Sequence, residues 1–92
     1  YYARRDVRLD QEIIEMLRTI LPGLNPPVIA GRVPSSVSHM DGLRFEFADE
    51  SWLLLRPSGA EPVVRVYAEA QTIEMRDELL EAGCAIARGD FG

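Results

Sequence analysis

The sequence predicts a two-layer α+β fold: a four-stranded, mainly antiparallel sheet with two helices on one face. Three observations carry this. A stretch with helical spacing of apolar residues lies near each end, with its own start and stop signals. Four strand-like runs fill the interval between residues 37 and 70. The connections between those runs are too short for crossovers, so consecutive strands pair antiparallel and the helices share one side.

Residues 1–9 alternate loosely, with Val7 and Leu9 apolar among Arg4, Arg5, Asp6 and Arg8, and read as an entering strand or a linker. Asp10 is a favoured helix N-cap, and Leu9 before it can staple onto Ile14. Ile13, Leu17, Ile20 and Leu24, with Ile14 and Leu21 beside them, keep helical spacing until Pro22-Gly23 stops the helix. Residues 24–36 hold too many prolines for regular structure and read as an extended crossover. The runs 37–40 and 43–48 flank Asp41-Gly42, a strong hairpin signal. Leu43, Phe45 and Phe47 alternate with Arg44 and Glu46, as in a strand with one buried and one wet face. Asp49-Glu50 makes the next turn. Trp52-Leu53-Leu54-Leu55 reads as a buried strand, and 63–70, rich in Val and Tyr, as the strand after it. Thr72 then caps a helix with Glu74 in its first turn; Met75, Leu79, Ala82 and Ile86 form its apolar stripe, and it ends near Arg88.

Composition bounds what such a domain does. The 92 residues fit a single domain, 1–92, and 47% of them are hydrophobic, enough for one core. The chain opens on Tyr1 rather than Met and is read as a piece of a longer protein. With a formal charge of −5, a polyanion held by a general basic field is not expected, which argues against a nucleic-acid partner. All ten basic residues are arginines. Cys84 is the one cysteine, so there is neither a disulfide framework nor a thiolate metal cluster, in keeping with a cytoplasmic location. No apolar run is long enough for a membrane span.

The segment Arg56-Pro57-Ser58-Gly59-Ala60-Glu61-Pro62 stands between the third and fourth strand-like runs and carries the chemistry. Ser58 supplies a hydroxyl. Gly59 is expected to turn the backbone at positive φ so that successive N–H groups face one concavity, an arrangement suited to an anion. Arg56 at its mouth and Arg65 on the outgoing strand add guanidinium forks that match phosphate oxygens. The competing reading makes both arginines ordinary surface partners of Glu61 and Glu69; the strand-loop-strand grouping favours the phosphate site. Elsewhere the ordinary reading wins. His39, the single histidine, is a half-exposed strand residue; Cys84 is a small core residue; Trp52 and Tyr67 belong to core or interface. Nothing in the chain makes a catalytic constellation.

These residues also resemble a known family. The run Asp41-Gly42-Leu43-Arg44-Phe45-Glu46-Phe47, followed by residues 51–70 with Arg56-Pro57-Ser58-Gly59-Ala60-Glu61-Pro62 and Arg65-Val66-Tyr67-Ala68-Glu69-Ala70, closely resembles the C-terminal domain of the α-D-phosphohexomutases, the phosphomannomutase and phosphoglucomutase family. The likeness is strong over residues 37–88 and weak over the first helix. It implies a fold like that of the TATA-box-binding protein, in shape only. It further implies that Arg56, Ser58 and the backbone of Gly59 and Ala60, helped by Arg65, hold the phosphate of a hexose phosphate that is not being transferred. The enzyme so implied interconverts hexose 1-phosphate and hexose 6-phosphate by intramolecular phosphoryl transfer. Its phosphoserine and its Mg²⁺ site belong to other domains of the same chain, so the present residues alone are expected to be inactive, acting as a lid over the substrate. The family usually has Thr where this chain has Ala60, a missing hydroxyl worth about 0.5–1.5 kcal/mol of binding. Pro57 and the Tyr-Ala-Glu-Ala ending look more like the phosphomannomutase and phosphoglucomutase branch than the phosphoglucosamine one. The alternative is a non-catalytic module that uses the same loop for a phosphorylated or acidic ligand.

Overall fold

In the computed structural model, which describes residues 1–40 and 42–89, the chain runs β1 (Tyr2–Arg8), α1 (Gln11–Ile20), a 3-10 turn (Leu21–Gly23), β2 (Ser36–Ser38), β3 (Leu43–Glu46), β4 (Trp52–Pro57), β5 (Val63–Glu69) and α2 (Ile73–Ala87). The strands form one sheet in the order β1-β5-β4-β3-β2, with every neighbouring pair antiparallel. The sheet therefore has five strands, not four. The additional one is the segment 1–9 left open between strand and linker; it completes the edge beside β5 over seven residue pairs, from Tyr2↔Glu69 to Arg8↔Val63.

Alternation sorts the strands onto two faces. Val7, Leu43, Phe45, Leu53, Leu55, Val64, Val66 and Ala68 point to one side, where they join Ile14 and Leu17 of α1 and Leu79, Leu80, Cys84 and Ile86 of α2 in a single core. Both helices thus cover one face. Trp52 and Leu54, within the run taken as buried, are half-buried on the opposite, open face. Gly83 sets how closely α2 lies on the sheet: a Cβ there would stand 2.6 Å from Val66 Cγ1 and 3.0 Å from a Leu53 methyl.

The local signals mostly act as expected. Thr72 Oγ1 accepts the Met75 N–H at 3.1 Å, capping α2. Asp10 has the extended backbone of an N-cap but makes no side-chain cap bond. The inward stripe of α1 is Ile14, Leu17 and Leu21, whereas Ile13 is 40% exposed: the stripe is rotated by one residue from the spacing first read. Within the proline-rich crossover a tight turn brings Ile29 and Arg32 into reciprocal backbone bonds of 2.8 Å, with Ala30 and Gly31 both at positive φ, as a primed turn requires. The Asp41-Gly42 hairpin joins β2 to β3 through residues 39–42 rather than two residues; Asp41 lies outside the described residues, and Gly42 sits at φ +115°.

The β3–β4 turn is braced by Asp49, whose carboxylate accepts the Ser51 N–H at 3.0 Å and meets Arg32 at 2.8 Å. Chiefly through the Ser51 N–H and then Arg32, the carboxyl is held down to about 2. A depressed carboxyl contributes stability above its unfolded value and loses it as the acid form fills. Between about pH 4 and pH 2 the wild-type melting temperature is therefore expected to fall more steeply than that of Asp49→Asn, as thermal scans across that range would show.

Candidate functional site

Cross-strand register lays the open face out in rows. Arg4, Tyr67, Leu54 and Arg44 make one, running from β1 to β3; Asp6, Arg65 and Arg56 make the next toward the β4–β5 loop. Arg56 and Arg65 are thus direct cross-strand neighbours, although like charges placed opposite each other destabilise a sheet. The acidic groups nearest in register or sequence are engaged elsewhere. Asp6 lies 3.5 Å from Arg4, Glu61 3.9 Å from Arg8, and Glu69 accepts the Trp52 indole N–H at 3.1 Å. Among the described residues neither Arg56 nor Arg65 has a carboxylate partner, so the reading that paired them with Glu61 and Glu69 does not hold. Arg65 Nε is buried and has no hydrogen-bond partner there, an uncommon state for so polar a group.

Between these strands the loop 58–62 is braced at its rim. Ser58 N–H donates to Val63 O at 2.8 Å, Val63 N–H to Glu61 O at 2.8 Å, and Leu9 N–H to Pro62 O at 3.0 Å, which ties the loop to the end of β1. Inside the loop, Ser58 Oγ accepts the N–H groups of Ala60 and Glu61, both at a long 3.3 Å. The Gly59 N–H has no partner among the described residues. An expectation is corrected here: Gly59 is not at positive φ. The loop closes through the Ser58–Val63 bond and the serine side-chain turn, with no left-handed residue needed. A Cβ at Gly59 would meet nothing within 4 Å, so neither a positive φ nor crowding requires glycine there.

Arg56, Ser58, Gly59 and Arg65 come together around one cavity of about 220 Å³, together with Pro57 and Tyr67. Ala60 is not among its lining residues; its side chain is exposed and its N–H is held by Ser58. Tyr67 lines the cavity although the sequence placed it in core or interface; its register one pair beyond Arg65, on the same face, is the signal that finds it once pairing is known. A second cavity, of about 240 Å³, adjoins the first and shares Arg56 and Pro57 with it; Arg18 and His39 reach into it from α1 and from the connection after β2. The Arg18 guanidinium donates to the Ser58 carbonyl, linking the end of the first helix to the loop. His39 is exposed, past the end of β2, with Nε2 2.9 Å from Leu24 O.

The open face gathers Arg4, Arg8, Arg44, Arg56 and Arg65 with Tyr2, Trp52 and Tyr67, a grouping that linear spacing hid; Asp6, Glu46 and Glu69 are interleaved with it. The site thus opens where the field is least acidic, while Glu12, Glu15, Glu74, Asp77, Glu78 and Glu81 lie on the helices. Among the described residues no group of three or more His, Cys, Asp or Glu side chains is placed to hold a metal ion, and no helix is long and apolar enough to cross a membrane.

The model of a family described as "Phosphoglucomutase/phosphomannomutase, C-terminal domain" matches residues 7–83. Among individual relatives, a phosphopentomutase of Thermococcus kodakarensis is 55% identical over 42 residues, 46% of this chain and 9% of the relative. A phosphoglucosamine mutase of Methanococcus aeolicus is 44% identical over 54 residues, 59% of this chain and 12% of the relative. A phosphoglucosamine mutase of Anoxybacillus flavithermus is 49% identical over 47 residues, 51% of this chain and 10% of the relative. The matched part spans about a tenth of the length of these relatives.

Proposed function

Because the chain belongs to the family of phosphoglucomutase/phosphomannomutase C-terminal domains, we propose that its loop 58–62, with Arg56 and Arg65, grips the non-transferred phosphate of a hexose phosphate for a phosphohexomutase. The observation that carries this reading is the pair Arg56↔Arg65: two like charges in direct register, neither in an ion pair among the described residues, with Asp6 across from Arg65 lying 3.5 Å from Arg4 instead. A dianion between the two guanidinium groups turns a repulsion into two charge-assisted interactions, each about twice as strong as a neutral hydrogen bond. The Gly59 N–H, without a partner among the described residues, adds a third donor. Ser58 Oγ accepts two loop amides and still has its own proton to give.

The domain's share of the reaction is positioning. Holding one phosphate fixes the sugar relative to the phosphoryl donor, and removing the loop's water strengthens every charge inside. The phosphoserine donor and the Mg²⁺ site belong, on this reading, to parts of the protein outside these 92 residues, so the chain by itself converts no hexose phosphate. Hexose phosphates of the phosphomannomutase and phosphoglucomutase branch are the proposed substrates, while individual relatives are named for phosphoglucosamine and phosphopentose.

An amide-resolved NMR titration of the chain with inorganic phosphate tests the reading. Shifts centred on Ser58, Gly59 and Ala60, saturating in the millimolar range since only part of the whole site is present, are expected. Shifts confined to the helices, or spread evenly over the surface, would refute the loop as the phosphate site.

A further inference from the structure

We propose that Arg18, near the end of α1, is a positioning residue for the loop: it holds the Ser58–Gly59 peptide in the one orientation that keeps the Gly59 N–H available to an anion. This rests on the loop binding phosphate. The contact that carries it is the bond from the Arg18 guanidinium to the Ser58 carbonyl. That carbonyl and the Gly59 N–H are the two ends of one planar trans peptide, so fixing one aims the other in the opposite direction.

The hairpin leaves this peptide without bonds of its own. Residues facing each other in a hydrogen-bonded antiparallel pair exchange two bonds, but Ser58 and Val63 exchange one. The Ser58 N–H donates to Val63 O at 2.8 Å, while the Val63 N–H turns to Glu61 O at 2.8 Å. The Ser58 carbonyl is thereby released, and among the described residues Arg18 is its one partner. The following two peptides are held from within the loop, since the Ala60 and Glu61 N–H groups donate to Ser58 Oγ. The far end is tied to the end of β1 by the bond from Leu9 N–H to Pro62 O. Arg18 lines the neighbouring cavity and Gly59 the phosphate cavity, so the peptide stands between them with its carbonyl toward α1.

Glycine at 59 makes such a hold necessary. Turning over the central peptide of a turn, as between types I and II, carries the following residue to positive φ, which glycine accepts and a residue with a Cβ resists. The inverted peptide would present a carbonyl oxygen where the anion needs a donor. One net hydrogen bond to the Ser58 carbonyl biases the two orientations by roughly fivefold.

NMR titration with inorganic phosphate of the wild type, Arg18→Met, Gly59→Ala and the double variant tests this, in about 0.3 M chloride to screen charge acting at a distance. Arg18→Met is expected to weaken phosphate about threefold as the competent fraction falls, with an unchanged urea midpoint because the side chain is exposed. In the Gly59→Ala background, where inversion is disfavoured, the same change should cost less than about 1.5-fold. Without ligand, the NOE from Ser58 Hα to Gly59 HN, which reports ψ of Ser58, should change in Arg18→Met and return in the double variant. Equal cost in both backgrounds would show that Arg18 acts by its charge, and would overturn the peptide hold. So would an unchanged NOE in Arg18→Met, which also decides the matter if Gly59→Ala binds too weakly to titrate. An Arg18→Met chain that binds like the wild type would overturn the hold while leaving the phosphate loop standing. Failure of the wild type to bind phosphate would refute the loop assignment, and the role of Arg18 with it.

Discussion

Gly42→Ala is expected to destabilise the fold by about 3 kcal/mol, a large share of the ~5–15 kcal/mol available to a domain. Gly42 sits at φ +115°, where a side chain is strained whatever the space around it. A Cβ there would also stand 2.2 Å from the carbonyl oxygen of Leu55 and 3.3 Å from Arg56 Cα. The oxygen is backbone in the middle of a sheet, so it cannot swing away as the end of a side chain would; β3 and β4 must part at the Leu43↔Leu55 pair. Strain and forced separation each cost about 1–3 kcal/mol. In equilibrium urea unfolding this should appear as a midpoint lower by roughly 2 M for a slope near 1.5 kcal/mol/M. Gly59→Ala is the control, because its Cβ meets open space at an ordinary φ; its midpoint should move by no more than about 0.3 M. Equal midpoints for the two variants would show that β4 yields at Leu55 and that Gly42 does not fix the sheet there. The position also bears on binding, since the displaced backbone is that of Leu55 and Arg56, one end of the arginine pair.

What the sequence disclosed and what it hid follow one division. Local chemistry was legible: Thr72 as a cap, the Leu43-Phe45 alternation, and the cluster Arg56, Ser58, Gly59 and Arg65, which the short β4–β5 connection places around one cavity. Properties that depend on pairing partners were not. Residues 1–9 have too weak a pattern to declare a strand, and become one because β5 presents an unpaired edge to them. Arg18 and His39 come to line a cavity with Arg56 and Pro57, and Arg18 to reach the Ser58 carbonyl, only because the end of α1 packs over that end of the sheet. Ile13 was misplaced for a related reason, since helical spacing defines a stripe but the sheet chooses which neighbouring stripe is buried. Gly59 shows the opposite error. A glycine between a serine and an alanine invited a left-handed turn, whereas its φ is ordinary and a Cβ there would meet open space.

Arg65→Met should separate a functional arginine from a structural one by the sign of its two effects. Methionine keeps much of the apolar stem that packs on the sheet but removes the charge facing Arg56 and the buried Nε that has no partner. In phosphate-free buffer the variant is therefore expected to melt no lower than the wild type, and to gain up to about 1 kcal/mol from relief of cross-strand repulsion. With phosphate present the order should reverse. A ligand at ten times its dissociation constant adds about 1.4 kcal/mol to the folded state, and loss of a charge-assisted contact of about 1.5–3 kcal/mol weakens binding tenfold to a hundredfold, removing most of that addition. Thermal or urea unfolding at several phosphate concentrations, with ionic strength held constant by chloride, reads both effects in one series. If Arg65→Met unfolds more easily without phosphate and responds to phosphate as the wild type does, Arg65 serves the sheet and not the ligand, and the arginine pair no longer argues for a phosphate grip. A crossing of the two curves would mean that this sheet carries an electrostatic conflict which its ligand resolves, as expected of a surface shaped around an absent dianion.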